Sequence, residues 1–213
     1  MKIGIIGGTF DPIHNGHRDI ALNAKNEYAL DELWFMPAGD PYCKSDKEVT
    51  PASVRLEMTR LAVSEMPSFC RCCDLEIRTE GPTYTSETLE RLHAQYPEDE
   101  FFFIVGADSL LYMEDWHRPE LIFRYAVVLC ADRPGEDDAE LYRCMWKLNE
   151  KYGCGEERVR IIHCRELPIS STDIRLMMER GGDISPYVAR KVLDFIEDEG
   201  LYGYSRKKVD ISL

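Results

Sequence analysis

Short apolar runs alternate along the chain with longer stretches in which apolar residues recur at helical spacing. Residues 2–6 form a β-branched run that ends on Gly7-Gly8, the pattern of a buried strand entering a tight turn. A helix is predicted after His17, with Ile20, Ala21, Ala24 and Tyr28 on one face. Residues 32–36 read as a second strand, closed by Pro37. Thr50-Pro51 predicts a helix start, with Thr as N-cap and Pro at the first helical position. Val54, Met58, Leu61 and Ala62 then give that helix its apolar stripe. Residues 71–78 predict a further strand and residues 85–96 a further helix. Residues 101–105 and 125–131 predict buried strands. Beyond Asp132-Arg133-Pro134-Gly135 an amphipathic stretch runs to about residue 151, and residues 158–163 read as the last strand.

Ser171 and Ser185-Pro186 each predict a helix start. The final helix carries Val188, Val192 and Ile196 at fourfold spacing and stops at Gly200. Strands alternating with helices imply a parallel sheet covered on both faces. The expected fold is a Rossmann-like, doubly wound α/β sheet with a small helical C-terminal portion from about residue 171. One domain is expected over residues 1–204, followed by a charged tail at 205–213.

Charge narrows the choice of partner. Lys and Arg number 26 against 39 Asp and Glu, a formal net charge of −13. A polyanion needs clustered positive charge, so a nucleic-acid partner is not expected. The apolar runs fall well short of the about 20 residues that span a bilayer, so no membrane partner is expected either. The first residues lack the apolar core and cleavage site of a signal peptide, and the expected location is the cytoplasm. The eight cysteines stand at 43, 70, 72, 73, 130, 144, 154 and 164. Cys70 and Cys73 have a zinc-ligand spacing but no second pair to complete a site, so the reading is reduced thiols and no protein-held metal. A homo-oligomer is left open.

Candidate chemistry concentrates at the first strand-to-helix junction, Gly7-Gly8-Thr9-Phe10-Asp11-Pro12-Ile13-His14-Asn15-Gly16-His17. Ligands of open α/β sheets bind outside the carboxyl ends of the strands, where such a junction lies. The glycines permit close backbone approach, and a helix N-terminus offers unpaired N–H groups to a phosphate. The segment is neither Gly-x-Gly-x-x-Gly nor a P-loop. Two histidines three residues apart at a helix start can both face one bound anion.

A second phosphate site is predicted at Pro168-Ile169-Ser170-Ser171-Thr172-Asp173-Ile174-Arg175. Hydroxyls and free N–H groups can cradle phosphate oxygens, while Arg supplies a bidentate donor. One capping residue accounts for one hydroxyl, not for three plus the Arg.

These segments resemble the His-x-Gly-His and Ile-Ser-Ser-Thr-x-x-Arg motifs of the nucleotidylyltransferase superfamily, in the form seen in bacterial nicotinate mononucleotide adenylyltransferases. The resemblance implies transfer of AMP from ATP to nicotinate mononucleotide, giving deamido-NAD and pyrophosphate, with Mg2+ accompanying ATP. It implies His14 and His17 as catalytic residues. Gly7, Gly8, Thr9, Phe10, Gly106, Asp108, Arg133, Ser170, Ser171, Thr172 and Arg175 would bind ATP.

Further matches point to the acceptor. In Pro37-Ala38-Gly39-Asp40-Pro41-Tyr42-Cys43-Lys44, Cys43 stands where the family commonly has His, which leaves Lys44 as the cation for the mononucleotide phosphate. Tyr84-Thr85, Asp108 in Gly106-Ala107-Asp108, and Trp116 match the family's acceptor-binding elements, with Trp116 stacking on the pyridine ring. Arg55 matches a family helix and is read as structural. The alternatives are another transferase of the superfamily, such as a pantetheine-phosphate adenylyltransferase, or a non-catalytic nucleotide sensor on the same scaffold.

Overall fold

The computed structural model describes residues 1–39, 49–132, 138–163 and 169–204. Six strands form one sheet: β1 (Lys2–Gly8), β2 (Glu32–Pro37), β3 (Cys70–Cys72), β4 (Glu100–Gly106), β5 (Ala126–Ala131) and β6 (Val159–Ile162). All neighbours are parallel, in the order β3-β2-β1-β4-β5-β6. The fold is Rossmann-like, and β1 and β4 are the central pair from which the two halves wind outward.

Alternation along the central strands builds two cores. Ile6, Phe102 and Ile104 face one side, against α1 (Asn15–Tyr28), α2 (Ala52–Ser64) and α8 (Arg190–Asp198). Ile3, Ile5, Phe101, Phe103 and Val105 face the other, against α3 (Thr85–Gln95), α5 (Pro119–Tyr125) and α6 (Asp138–Tyr152). Burial on both faces is why the strands read as near-continuous apolar runs. Two shorter elements flank the carboxyl ends of the strands: α4 (Ala107–Leu111) directly after β4, and α7 (Ser171–Glu179) after β6. A 3-10 turn at Leu201–Gly203 follows α8.

Several expected boundaries move. Helix α1 starts at Asn15, before His17, because His14 is extended (φ −143°, ψ 171°) and serves as the N-cap. At α2 Pro51, not Thr50, is the N-cap: its carbonyl accepts from Val54 and Arg55, and the helix starts at Ala52. The strand expected over 71–78 is only Cys70–Cys72. Beyond it the backbone closes on itself, with Arg78 N–H on Asp74 C=O and Thr79 N–H on Glu76 C=O. The alternation of Leu75 and Ile77 imitates a strand, but local turn bonds satisfy the backbone first. The last helix starts at Arg190 rather than at Ser185-Pro186, since the Ser185 N–H and hydroxyl are both held by the Asp183 carboxylate. Tyr125 closes α5 rather than opening β5.

Candidate active site

Adjacent strands β1 and β4 end at Gly8 and Gly106, and their connections leave in opposite directions along the sheet. That geometry opens a crevice at the carboxyl edge. A cleft of about 1030 Å3 lies there. Its walls include His14, His17, Gly7, Gly8, Thr9, Gly106, Asp108, Ser170, Ser171, Thr172 and Arg175, together with Tyr84, Thr85 and Trp116. Residues from both predicted motifs and from the predicted acceptor elements thus meet in one place. Phe10 is the exception. It does not line the cleft but lies beneath it, buried, with φ 51° and its ring edge-on to His17 at 4.8 Å. Lys44, Cys43 and Arg133 lie outside the described residues.

The histidine pair is ordered by the start of α1. The His14 backbone N–H donates to Nδ1 of His17 at 3.2 Å. That bond needs an unprotonated Nδ1, so a neutral His17 carries its ring proton on Nε2. The two rings lie 3.7 Å apart, tilted by 31°. Burial pushes the His14 pKa down to about 4 against the opposing pull of the Asp173 carboxylate, so its ring is neutral at pH 7. Gly16 makes room for this arrangement: a Cβ there would stand 3.0 Å from Cε1 and Nδ1 of His14.

Beside the histidine loop, Ser170 caps α7. Its hydroxyl accepts from Asp173 N–H at 3.1 Å, while the Asp173 carboxylate accepts from the Ser170 N–H at 2.9 Å. These Ser170 bonds hold the Asp173 carboxyl below the usual carboxylate range. Ser171 donates to Pro12 C=O at 2.9 Å. Arg175 donates through Nη1 to Asp11 C=O at 2.5 Å and through Nη2 to Thr172 Oγ1 at 3.2 Å. The hydroxyls of Ser170 and Ser171 are therefore committed to protein partners. What this wall offers an anion is the N-terminus of α7, Thr172 and the Arg175 guanidinium.

The opposite end is aromatic. Tyr84 caps α3, and its ring lies 4.2 Å from that of His117 at a 33° tilt. Ser86 donates to His117 C=O at 2.7 Å, which ties the Trp116-His117 segment to the start of α3. Trp116 packs edge-on to Phe103.

A model of the cytidylyltransferase-like family matches residues 5–177, a span that holds both walls of the cleft. The chain belongs to that family. A protein of Dehalococcoides mccartyi (strain CBDB1) is 38% identical over 203 residues, covering 95% of this chain and 97% of that one. One from Lachnoclostridium phytofermentans (strain ATCC 700394 / DSM 18823 / ISDg) is 35% identical over 201 residues, covering 94% and 98%. Both are named "Probable nicotinate-nucleotide adenylyltransferase". The Plasmodium falciparum nicotinic acid mononucleotide adenylyltransferase complexed with NaAD superposes with a TM-score of 0.76 at 22% identity, covering 96% of this chain and 98% of that one.

In this cytidylyltransferase-like site two charged groups, buried Arg55 and half-buried Glu76, hold the loops around the cleft, and Glu76 carries no role in the sequence reading. Arg55, 1% exposed, donates to four carbonyls: Thr50 through Nε, Thr9 and Ala38 through Nη1, and Gly39 through Nη2, all at 2.7 to 2.8 Å. Its role is structural, as expected: it is the shared anchor of the turns after β1 and β2. Glu76 lines the cleft and accepts from Thr83 at 3.1 Å, Thr88 at 2.9 Å and the Gly39 N–H. Burial raises its pKa although those three bonds pull it down. The pattern that suggested a strand over 71–78 hid Glu76, by placing it as an ordinary alternating polar position.

Proposed function

We propose that the chain transfers AMP from ATP to nicotinate mononucleotide, giving deamido-NAD and pyrophosphate in NAD biosynthesis. The observation that carries this reading is the single cleft with two unlike ends. One end joins two histidines to a helix N-terminus and an arginine, which suits a polyphosphate. The other sets Tyr84, His117 and Trp116 around the start of a second helix, which suits a flat, anionic ring.

An oxygen of the mononucleotide phosphate attacks the α-phosphorus of ATP. A P–O bond forms there as the bond to the β-phosphate breaks, and pyrophosphate leaves. The attacking phosphate is already an anion, so no general base is required, and catalysis is alignment plus stabilisation of developing charge. His17 donates from Nε2 to an α-phosphate oxygen, with His14 beside it. Gly7, Gly8 and Thr9 bring backbone close to the nucleotide, and Thr172, Arg175 and the N-terminus of α7 hold the β- and γ-phosphates. Asp108 accepts from ribose hydroxyls, and the family resemblance assigns Arg133 to the adenine and Lys44 to the mononucleotide phosphate.

Among the described residues no group of three or more His, Cys, Asp or Glu side chains could hold a metal ion. This donor set fits Mg2+ carried by ATP phosphates and water rather than a protein cage. When bound, the ion would screen repulsion between the two anionic substrates. The partners are small molecules. No helix among the described residues is long and apolar enough to cross a membrane, and the proposed location is the cytoplasm.

Pyrophosphate release with ATP and a panel of acceptors tests the reading. Turnover with phosphopantetheine and none with a pyridine mononucleotide would overturn it.

The acid acceptor is expected to be preferred to the amide. The start of α3, at Thr85, presents N–H groups that lack intrahelical partners. A carboxylate has acceptors only, whereas a carboxamide must turn its NH2 toward one of those donors. The unmade bond costs about 1–3 kcal/mol, or roughly 5- to 150-fold in kcat/KM. Equal values for the two mononucleotides, measured at one salt and Mg2+ concentration, would remove this donor arrangement as the source of selectivity.

A further inference from the structure

The 3-10 turn at Leu201–Gly203 reaches back under the histidine loop. Tyr202 donates its hydroxyl to Oδ1 of Asp11 at 2.6 Å, and the Thr50 N–H donates to Oδ2 at 3.3 Å. Asp11 is buried, so its carboxylate relies on protein donors. The carbonyl of the same residue already accepts from the Arg175 guanidinium at 2.5 Å. With the guanidinium held on its own backbone carbonyl, the Asp11 carboxylate has a neighbouring cation with which a charge-assisted pair is the strong alternative. Tyr202 itself sits in the left-handed region (φ 58°, ψ 21°), between glycines at φ 60° and 66°. L side chains rarely adopt that conformation, and one that aims a hydroxyl at a buried acid has a reason to be kept.

We propose that Tyr202 is a positioning residue for ATP: by holding the Asp11 carboxylate it keeps the Arg175 guanidinium available to the triphosphate. This rests on the assignment of Arg175 to the β- and γ-phosphates. Burial and the Asp11 hydrogen bond raise the Tyr202 pKa, so the hydroxyl remains a donor throughout the neutral range. The Arg175 charge acts on the same hydroxyl in the opposite sense, which places phenol, carboxylate and guanidinium in one electrostatic neighbourhood. Without the phenol donor, Asp11 turns to Arg175 and competes with ATP for it.

The test is calorimetric binding of a non-hydrolysable ATP analogue to the full chain, with no acceptor present. Tyr202→Phe removes one oxygen and is expected to weaken analogue binding about tenfold, with KM for nicotinate mononucleotide little changed. Asp11→Asn alone should bind the analogue as tightly as the parent, because the competing charge is gone. Adding Asp11→Asn to Tyr202→Phe should restore most of the lost affinity. A purely structural role predicts the reverse, since the second substitution would add damage. Loss of analogue affinity in Asp11→Asn, no rescue in the double variant, or equal losses for both substrates in Tyr202→Phe would each overturn the proposal. Should Tyr202→Phe not fold, loss of analogue affinity in Asp11→Asn still overturns the proposal. A parent chain that bound no analogue would instead undo the nucleotide reading of the cleft.

Discussion

His17→Ala is expected to lower kcat by about 10²–10³ while leaving the Kd for ATP within a few-fold of the parent. The reason lies in one backbone hydrogen bond. Because the His14 N–H occupies Nδ1 of His17, the proton of the neutral ring is fixed on Nε2. A donor held in place before charge develops costs no reorganisation when negative charge builds on the non-bridging oxygens of the pentacoordinate transition state. In the ground state the same donor meets a less demanding oxygen, so its loss falls on kcat. The substitution also strips the His14 N–H of its acceptor, and a stability loss of about 1 kcal/mol should accompany it. Single-turnover kinetics with separately measured ATP affinity checks the split. A variant with near-normal kcat would remove His17 from the mechanism.

Arg55→Met is expected to cost about 3 kcal/mol or more of stability, a large share of the 5–15 kcal/mol typical of a domain. The methionine fills similar apolar volume but donates nothing to the carbonyls of Thr9, Ala38, Gly39 and Thr50. Each buried acceptor left unpaired costs about 1–3 kcal/mol, and relaxation recovers only part of the sum. Arg55→Lys should fall between, since a point ammonium with three donors cannot span four carbonyls set around a planar fork. Urea unfolding gives the answer through a lower midpoint at unchanged slope. A loss under about 1 kcal/mol would mean that those carbonyls find other partners.

How much of this was legible beforehand depends on how local each feature is. The first strand and the histidine pair are written in consecutive residues, and the structure keeps both, although the strand runs on through Gly7-Gly8 and the helix opens at Asn15, before His17. The two motifs met in one cleft because a doubly wound sheet gathers its strand ends on one edge. Local reading failed where side chains compete with backbone for the same bonds. Asp183 takes up Ser185 and delays α8, and the bonds closing residues 74–79 cut the third strand short. It was mute on Glu76, whose partners come from Gly39, Thr83 and Thr88. Nor could spacing reveal that the Ser170 and Ser171 hydroxyls serve a cap and a loop carbonyl rather than standing free. The Tyr202–Asp11 bond spans 191 residues, and no periodicity carries information that far.

That separation bears on how the protein comes into being. The histidine loop is synthesised well before the groups that seat it, which lie 159 to 171 residues further along the chain. Ser171 reaches Pro12 across 159 residues, Arg175 reaches Asp11 across 164, and Asn15 reaches Pro186 across 171. Closing such loops costs chain entropy and slows folding, so this end of the cleft is expected to assemble late. A product truncated before residue 171 carries both histidines but lacks the helix N-terminus and Arg175. One truncated just before residue 202 keeps both and lacks the phenol that occupies Asp11. On the proposed assignment of the cleft, a chain cut before residue 171 is expected to bind ATP far more weakly than the intact one, and a chain cut just before residue 202 to bind it more weakly.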